Sequence, residues 1–125
     1  MQFQSGDSFG TPPAITLAGY DAAVGGGTLS LTLYWQQSNA MIAYYKYFIH
    51  LFNPEGEFIA AQADGFPLIP TSQWQGGEVM IVSASLPLAD LESKTVYNIG
   101  VGWYDPNTGA RLGERVILSQ GIAKP

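Results

Sequence analysis

Thr28-Leu29-Ser30-Leu31-Thr32-Leu33-Tyr34-Trp35-Gln36 decides the fold class. Leu29, Leu31, Leu33 and Trp35 fall on one side of an extended chain. Ser30, Thr32, Tyr34 and Gln36 fall on the other. A period of two marks a strand with one buried face. Two further stretches repeat it. Between Tyr44 and Phe52, the residues Tyr45, Tyr47, Ile49 and Leu51 share one face. Tyr44, Lys46, Phe48, His50 and Phe52 share the other. Between Val96 and Tyr104, the residues Tyr97, Ile99, Val101 and Trp103 alternate with Asn98, Gly100, Gly102 and Tyr104.

No segment keeps a 3.6-residue apolar period for three turns. Weaker strands are expected over Ala14 to Gly19, Phe58 to Asp64, Glu78 to Leu86 and Arg115 to Ser119. Turn signals separate them. Asn53-Pro54-Glu55-Gly56 and Asp105-Pro106-Asn107-Thr108-Gly109 suit hairpins. Gly25, Gly26 and Gly27 read as a loose loop. Residues 65–77 hold Pro67, Pro70 and Trp74 and read as a crossover loop. About seven short strands at this spacing predict an all-β, immunoglobulin-like antiparallel β-sandwich. Tyr97, following Leu88-Ala89-Asp90-Leu91, is placed to return its hydroxyl to the upstream backbone, as a tyrosine corner does.

The length of 125 residues fits one domain spanning the whole chain. Residues 1–12 read as a loosely ordered leader. Hydrophobic residues make up 46% and charged residues only 12%, against about 25% charged in an average domain. That composition argues against disorder and against a helical bundle. The net charge is −5. Lys46 is the one basic residue before Lys94, so no basic patch is legible and nucleic-acid binding is disfavoured. No apolar run approaches the length of a membrane span, about 20 residues. Met1 to Gly10 lacks the basic and apolar regions of a signal peptide. The absence of Cys removes disulfides, zinc–thiolate sites and thiol nucleophiles.

Several segments then stand together in order: Gly19-Tyr20-Asp21, Leu31-Thr32-Leu33-Tyr34-Trp35, Phe48-Ile49-His50-Leu51 and Asn53-Pro54-Glu55-Gly56. After them come Ala61-Gln62-Ala63-Asp64, Pro67, Pro70-Thr71-Ser72-Gln73-Trp74, Gly77-Glu78, Val101-Gly102-Trp103-Tyr104-Asp105 and Thr108-Gly109-Ala110-Arg111-Leu112. This series resembles an uncharacterised bacterial β-sandwich module, found notably in Chloroflexi and cyanobacteria. That module often sits C-terminal to a membrane glycosyltransferase region of the dolichyl-phosphate-mannose mannosyltransferase type. The resemblance implies an extracytoplasmic accessory domain near glycan-building machinery, and it carries over no catalytic residue. The chain departs from it at Glu78-Val79-Met80-Ile81-Val82-Ser83, where the family often has a further acid.

One sheet face is the candidate site. Pairing of the Tyr44 and Val96 strands would set Tyr44, Phe48, His50 and Phe52 beside Asn98, Gly100, Gly102 and Tyr104. The next strand would add Gln62 and Asp64, and the 65–77 loop would add Trp74. Glycines leave room for neighbouring rings. Aromatic rings beside amides and carboxylates are what a saccharide needs. The alternative is that the loop, a partner domain or a second copy covers this face.

His50 is the single His. A Ser-His-Asp triad would require it, oriented by Asp64 or Asp21, yet no Gly-x-Ser-x-Gly elbow accompanies it. A structural hydrogen bond between His50 and Asp64 is the expected arrangement. Glu55, Glu57 and Glu78 do not read as a flanking acid pair. Asp105 and Asn107 do not repeat as calcium ligands do. The expectation is a binding module without a cofactor, metal or catalytic residue. Its partner would be a saccharide or a neighbouring protein domain.

Overall fold

The computed structural model describes residues 1–53, 55, 59–89, 91–92, 95–118 and 121–123. Pro54 and Gly56 of the Asn53–Gly56 turn, and the end residues Phe58 and Ser119 of two expected strands, fall outside this set. Two antiparallel sheets pack as a sandwich. Among the described residues there are ten strands, rather than seven, and one turn of 3₁₀ helix.

The first sheet is built on β3 (Ile15–Gly25), β4 (Thr28–Gln37) and β7 (Val79–Pro87). Two-residue strands β1 (Phe3–Gln4) and β2 (Ser8–Phe9) pair with β3. The second sheet is built on β5 (Lys46–Phe52), β6 (Ile59–Gly65) and β8 (Val96–Tyr104). It is completed by β9 (Val116–Ile117) and β10 (Ile122–Ala123). Strand β8 pairs with β5, β9 and β10, while β6 pairs with β5. Within the expected strand from Arg115 to Ser119 the described residues form only β9, and β10 lies beyond it. Among the described residues no helix is long and apolar enough to cross a membrane.

Alternation decides which faces meet. Leu29, Leu31, Leu33 and Trp35 on β4 oppose Ile49 and Leu51 on β5 and Tyr97, Ile99, Val101 and Trp103 on β8. All are buried in one core. Burying each such aliphatic side chain contributes about 1.5–3 kcal/mol. At one end of the core four rings lie edge to face. Phe9 meets Trp35 at 5.5 Å, Trp35 meets Trp103 at 5.0 Å and Trp103 meets Trp74 at 5.6 Å. Such pairs add roughly 0.5–1.5 kcal/mol beyond area burial.

Within residues 1–12, Phe9 is fully buried against Trp35 and β2 pairs with β3. Two sequence expectations change here. Strand β3 runs on past Gly19 to Gly25 through a bulge at Ala18. Gly25 to Gly27 is tight rather than loose, because Gly25 pairs with Thr28. Gly26 and Gly27 both have positive φ, 60° and 75°, as a two-residue primed hairpin turn requires.

The 65–77 loop carries the 3₁₀ turn Thr71–Gln73. Thr71 is fully buried. Its Oγ1 donates to the Ala43 carbonyl at 2.7 Å and accepts the Tyr45 N–H at 2.9 Å. One hydroxyl thereby fastens the loop to the entry of β5. The Tyr97 hydroxyl accepts the Glu92 N–H at 3.1 Å, the backward tie expected of that residue.

Candidate functional site

The β5–β8 pairing sets Phe48 opposite Gly102, His50 opposite Gly100 and Phe52 opposite Asn98. The β5–β6 pairing sets Phe48 opposite Asp64 and His50 opposite Gln62. These residues share the outer face of the second sheet, because the intervening positions point into the core. Phe48 and Phe52 are nonetheless buried, at 3% and 2% exposure.

The cover comes from the C-terminal stretch. The Asp105–Gly109 turn closes with the Gly109 N–H donating to the Asp105 carbonyl at 2.7 Å and the Asp105 N–H donating to the Ala110 carbonyl at 2.9 Å. The chain then runs back along β8, with Arg111 bridged to Tyr104 and Val116 opposite Val101. Leu112 and Val116 pack against the core, whereas Arg111 and Arg115 lie over the outer face. The Arg111 guanidinium sits 4.8 Å from the Phe48 ring centroid, and that of Arg115 sits 3.9 Å from Phe52. A cation over a ring face is attracted by the ring quadrupole.

Gly100 and Gly102 make this layer possible. A Cβ at Gly100 would lie 2.5 Å from Arg115 Cδ, and one at Gly102 would strike the Phe48 ring. The two glycines hold the floor on which an arginine and a phenylalanine lie.

His50 is buried beside Phe48, with ring centroids 4.7 Å apart. Its Nδ1 lies 3.2 Å from Arg115 Nη1. A guanidinium only donates, so Nδ1 accepts and the imidazole is neutral, with its proton on Nε2. Burial holds the His50 pKa below 6.5, and the charge of Arg115 lowers it further, against an opposing pull from Asp64. The expected His50–Asp64 hydrogen bond gives way to this contact, and Asp64 instead accepts the Tyr104 hydroxyl at 3.2 Å.

Of the expected site residues, Phe48, His50, Asp64 and Tyr104 line one recess of about 200 Å³, together with Gly109 and Arg111. Gln62 is exposed on β6 beside it, and Asn98 is half-buried at the Phe52 end. Tyr44 is exposed just ahead of β5 and is not among the residues lining the recess. Trp74 belongs elsewhere. It is buried in the core against Trp103, and its Nε1 donates to the Ile69 carbonyl at 2.8 Å.

The sequence reading missed Arg111 and Arg115. Their signal was the alternation with Leu112 and Val116 after a hairpin turn, weakened by Gly113. A second recess of about 540 Å³ is lined by Arg111, Gly113, Glu114, Arg115 and Ile117. Among the described residues no group of three or more His, Cys, Asp or Glu could hold a metal ion. Comparison of the chain with protein-family models, with curated proteins and with solved structures found no match.

Proposed function

We propose that this chain is a non-catalytic, immunoglobulin-like accessory module that binds a saccharide at the outer face of its second sheet. The recess bounded by Tyr104, Asp64, His50 and Arg111 over Phe48 carries the reading. A hydroxyl, a carboxylate and a guanidinium converge there beside a half-buried tyrosine ring, which is the mixture a sugar uses. The arrangement of β3, β4 and β7 against β9, β8, β5 and β6, with Tyr97 tied backward, supports the immunoglobulin-like description. The neutral His50, turned toward a guanidinium, favours a structural role for it over general-base chemistry. An extracytoplasmic bacterial setting beside glycan-building machinery rests on the residue series described above.

The test is a glycan array followed by titration of the positives. Binding that Tyr104→Ala and Asp64→Ala remove, with folding intact, supports the reading. A wild-type protein that answers to no saccharide contradicts it.

A second reading is a protein-docking or self-associating module. It is favoured by Val79 and Ile81, 49% and 59% exposed on the outer edge strand β7. Leu68 and Ile69 lie in the same shallow apolar recess. An edge strand with exposed apolar residues is a template for pairing. Sedimentation at high concentration decides it: association that Ile81→Lys abolishes supports docking, and a strict monomer argues against self-association.

A further inference from the structure

We infer that the saccharide bound at this face is an acidic one, its oxyanion taken by Arg111 at the mouth of the 540 Å³ recess that it lines beside Arg115. This rests on the saccharide reading and specifies its chemical class. The chain carries −5 overall, yet the three described Lys and Arg side chains, Lys46, Arg111 and Arg115, gather on one outer face. Lys46 lies over the Phe66 ring at 5.6 Å, and the arginines lie over Phe48 and Phe52. A local positive field on an acidic protein attracts and orients an anion.

The stacking also prepares the donors. A guanidinium is planar, and its N–H groups form the fork that matches a carboxylate or sulfate. Attraction to the ring quadrupole holds the Arg111 side chain over Phe48, so less side-chain freedom is lost on binding. Arg111 is exposed and has no acidic partner within ion-pair distance among the described residues. It lines both recesses, so an anion held there continues into the one bounded by Tyr104 and Asp64.

The rest of the lining separates an acidic sugar from a bare anion. Glu114 lines the larger recess and Asp64 the smaller. Either carboxylate accepts hydroxyl hydrogen bonds from a sugar ring. Ile117, half exposed in the same recess, offers an apolar surface to the ring's C–H face. Donors for an oxyanion, acceptors for hydroxyls and one apolar wall fit a ligand that carries all three.

The probes are a short oligogalacturonate, a sulfated oligosaccharide, a neutral oligosaccharide of the same length, and inorganic phosphate. Each is titrated into the full chain while arginine side-chain N–H signals are followed by NMR. The expected result is saturable binding of at least one acidic oligosaccharide, weaker at high salt. Arg111→Gln should weaken it by roughly tenfold or more, and Arg111→Lys should restore part of it. Comparing the first two probes tells carboxylate from sulfate as the oxyanion. Equal binding of the neutral oligosaccharide, indifferent to Arg111→Gln, overturns the inference and leaves the saccharide reading standing. Equal binding of phosphate overturns it as well. No binding of any oligosaccharide overturns both. Unfolding curves of the Arg111 variants verify that they remain folded.

Discussion

Arg115 Nη1 donates to His50 Nδ1 across 3.2 Å while its guanidinium lies 3.9 Å from the centre of the Phe52 ring. One side chain thus closes the aromatic face and sets the protonation state of the chain's single histidine. The same side chain lines the larger recess, so the cover is also part of that recess's wall.

The His50 contact predicts a pH dependence of stability. The folded state holds the His50 pKa below the ordinary 6.5. The unfolded chain therefore binds more protons as the pH drops through that value. Stability is fully present above 6.5 and is lost as the pH falls below it toward the lower folded value. Urea unfolding at a series of pH values between about 7.5 and 5.5 brackets the ordinary histidine range. It should show the decline in the wild type and its absence in His50→Gln. An equally steep decline in that variant would place its origin elsewhere.

The glycine floor predicts costs for added methyl groups. Gly102→Ala must displace the Phe48 ring, and Gly100→Ala must displace the Arg115 stem. Each is expected to destabilise by about 1–3 kcal/mol, with Gly102→Ala the larger because an aromatic ring yields less than a flexible arginine. Gly76→Ala, at a position with open space, is the control and should change the midpoint little. Thermal unfolding monitored by circular dichroism measures all three.

Thr71 predicts a loop effect. Thr71→Val keeps the shape and removes the hydroxyl that joins Ala43 and Tyr45. Leaving those backbone groups without that partner should cost about 1–3 kcal/mol. Amide exchange should quicken at Tyr45, whose N–H loses its acceptor, and remain slow in the centre of β4.

The fold was legible because strict alternation has one physical reading. Leu29 to Trp35 and Tyr97 to Trp103 can bury a single face only as strands, and both do so. Glycine was harder to read. Gly19 looked like a strand end, yet β3 bulges there and continues. The reason is contact with β1: a Cβ at that position would run into Met1 and the Phe3 carbonyl. Gly100 and Gly102 read correctly as open floor, but composition could not say what lies on it.

The site was half legible for a related reason. Period two assigned Phe48, His50, Asp64 and Tyr104 to one face, and strand pairing brought them together. Trp74 stood open between the site and a cap on the end of the core, because a loop has no period to show which way a ring points. Hydrogen bonding to Ile69 and packing on Trp103 turned it inward. Arg111 and Arg115 escaped notice because covering a sheet is a tertiary event, set by the path of the chain after Asp105.

The central claim is that the chain's own arginines close the aromatic face. The most direct measurement is the proton chemical shifts of the Arg111 and Arg115 side chains. Protons above a ring face are shifted upfield by its ring current. The account predicts marked upfield shifts of the Arg115 side-chain protons, smaller ones for Arg111 at its longer distance, and loss of the Arg115 shifts in Phe52→Leu. Random-coil shifts for both arginines in the folded wild type would contradict it.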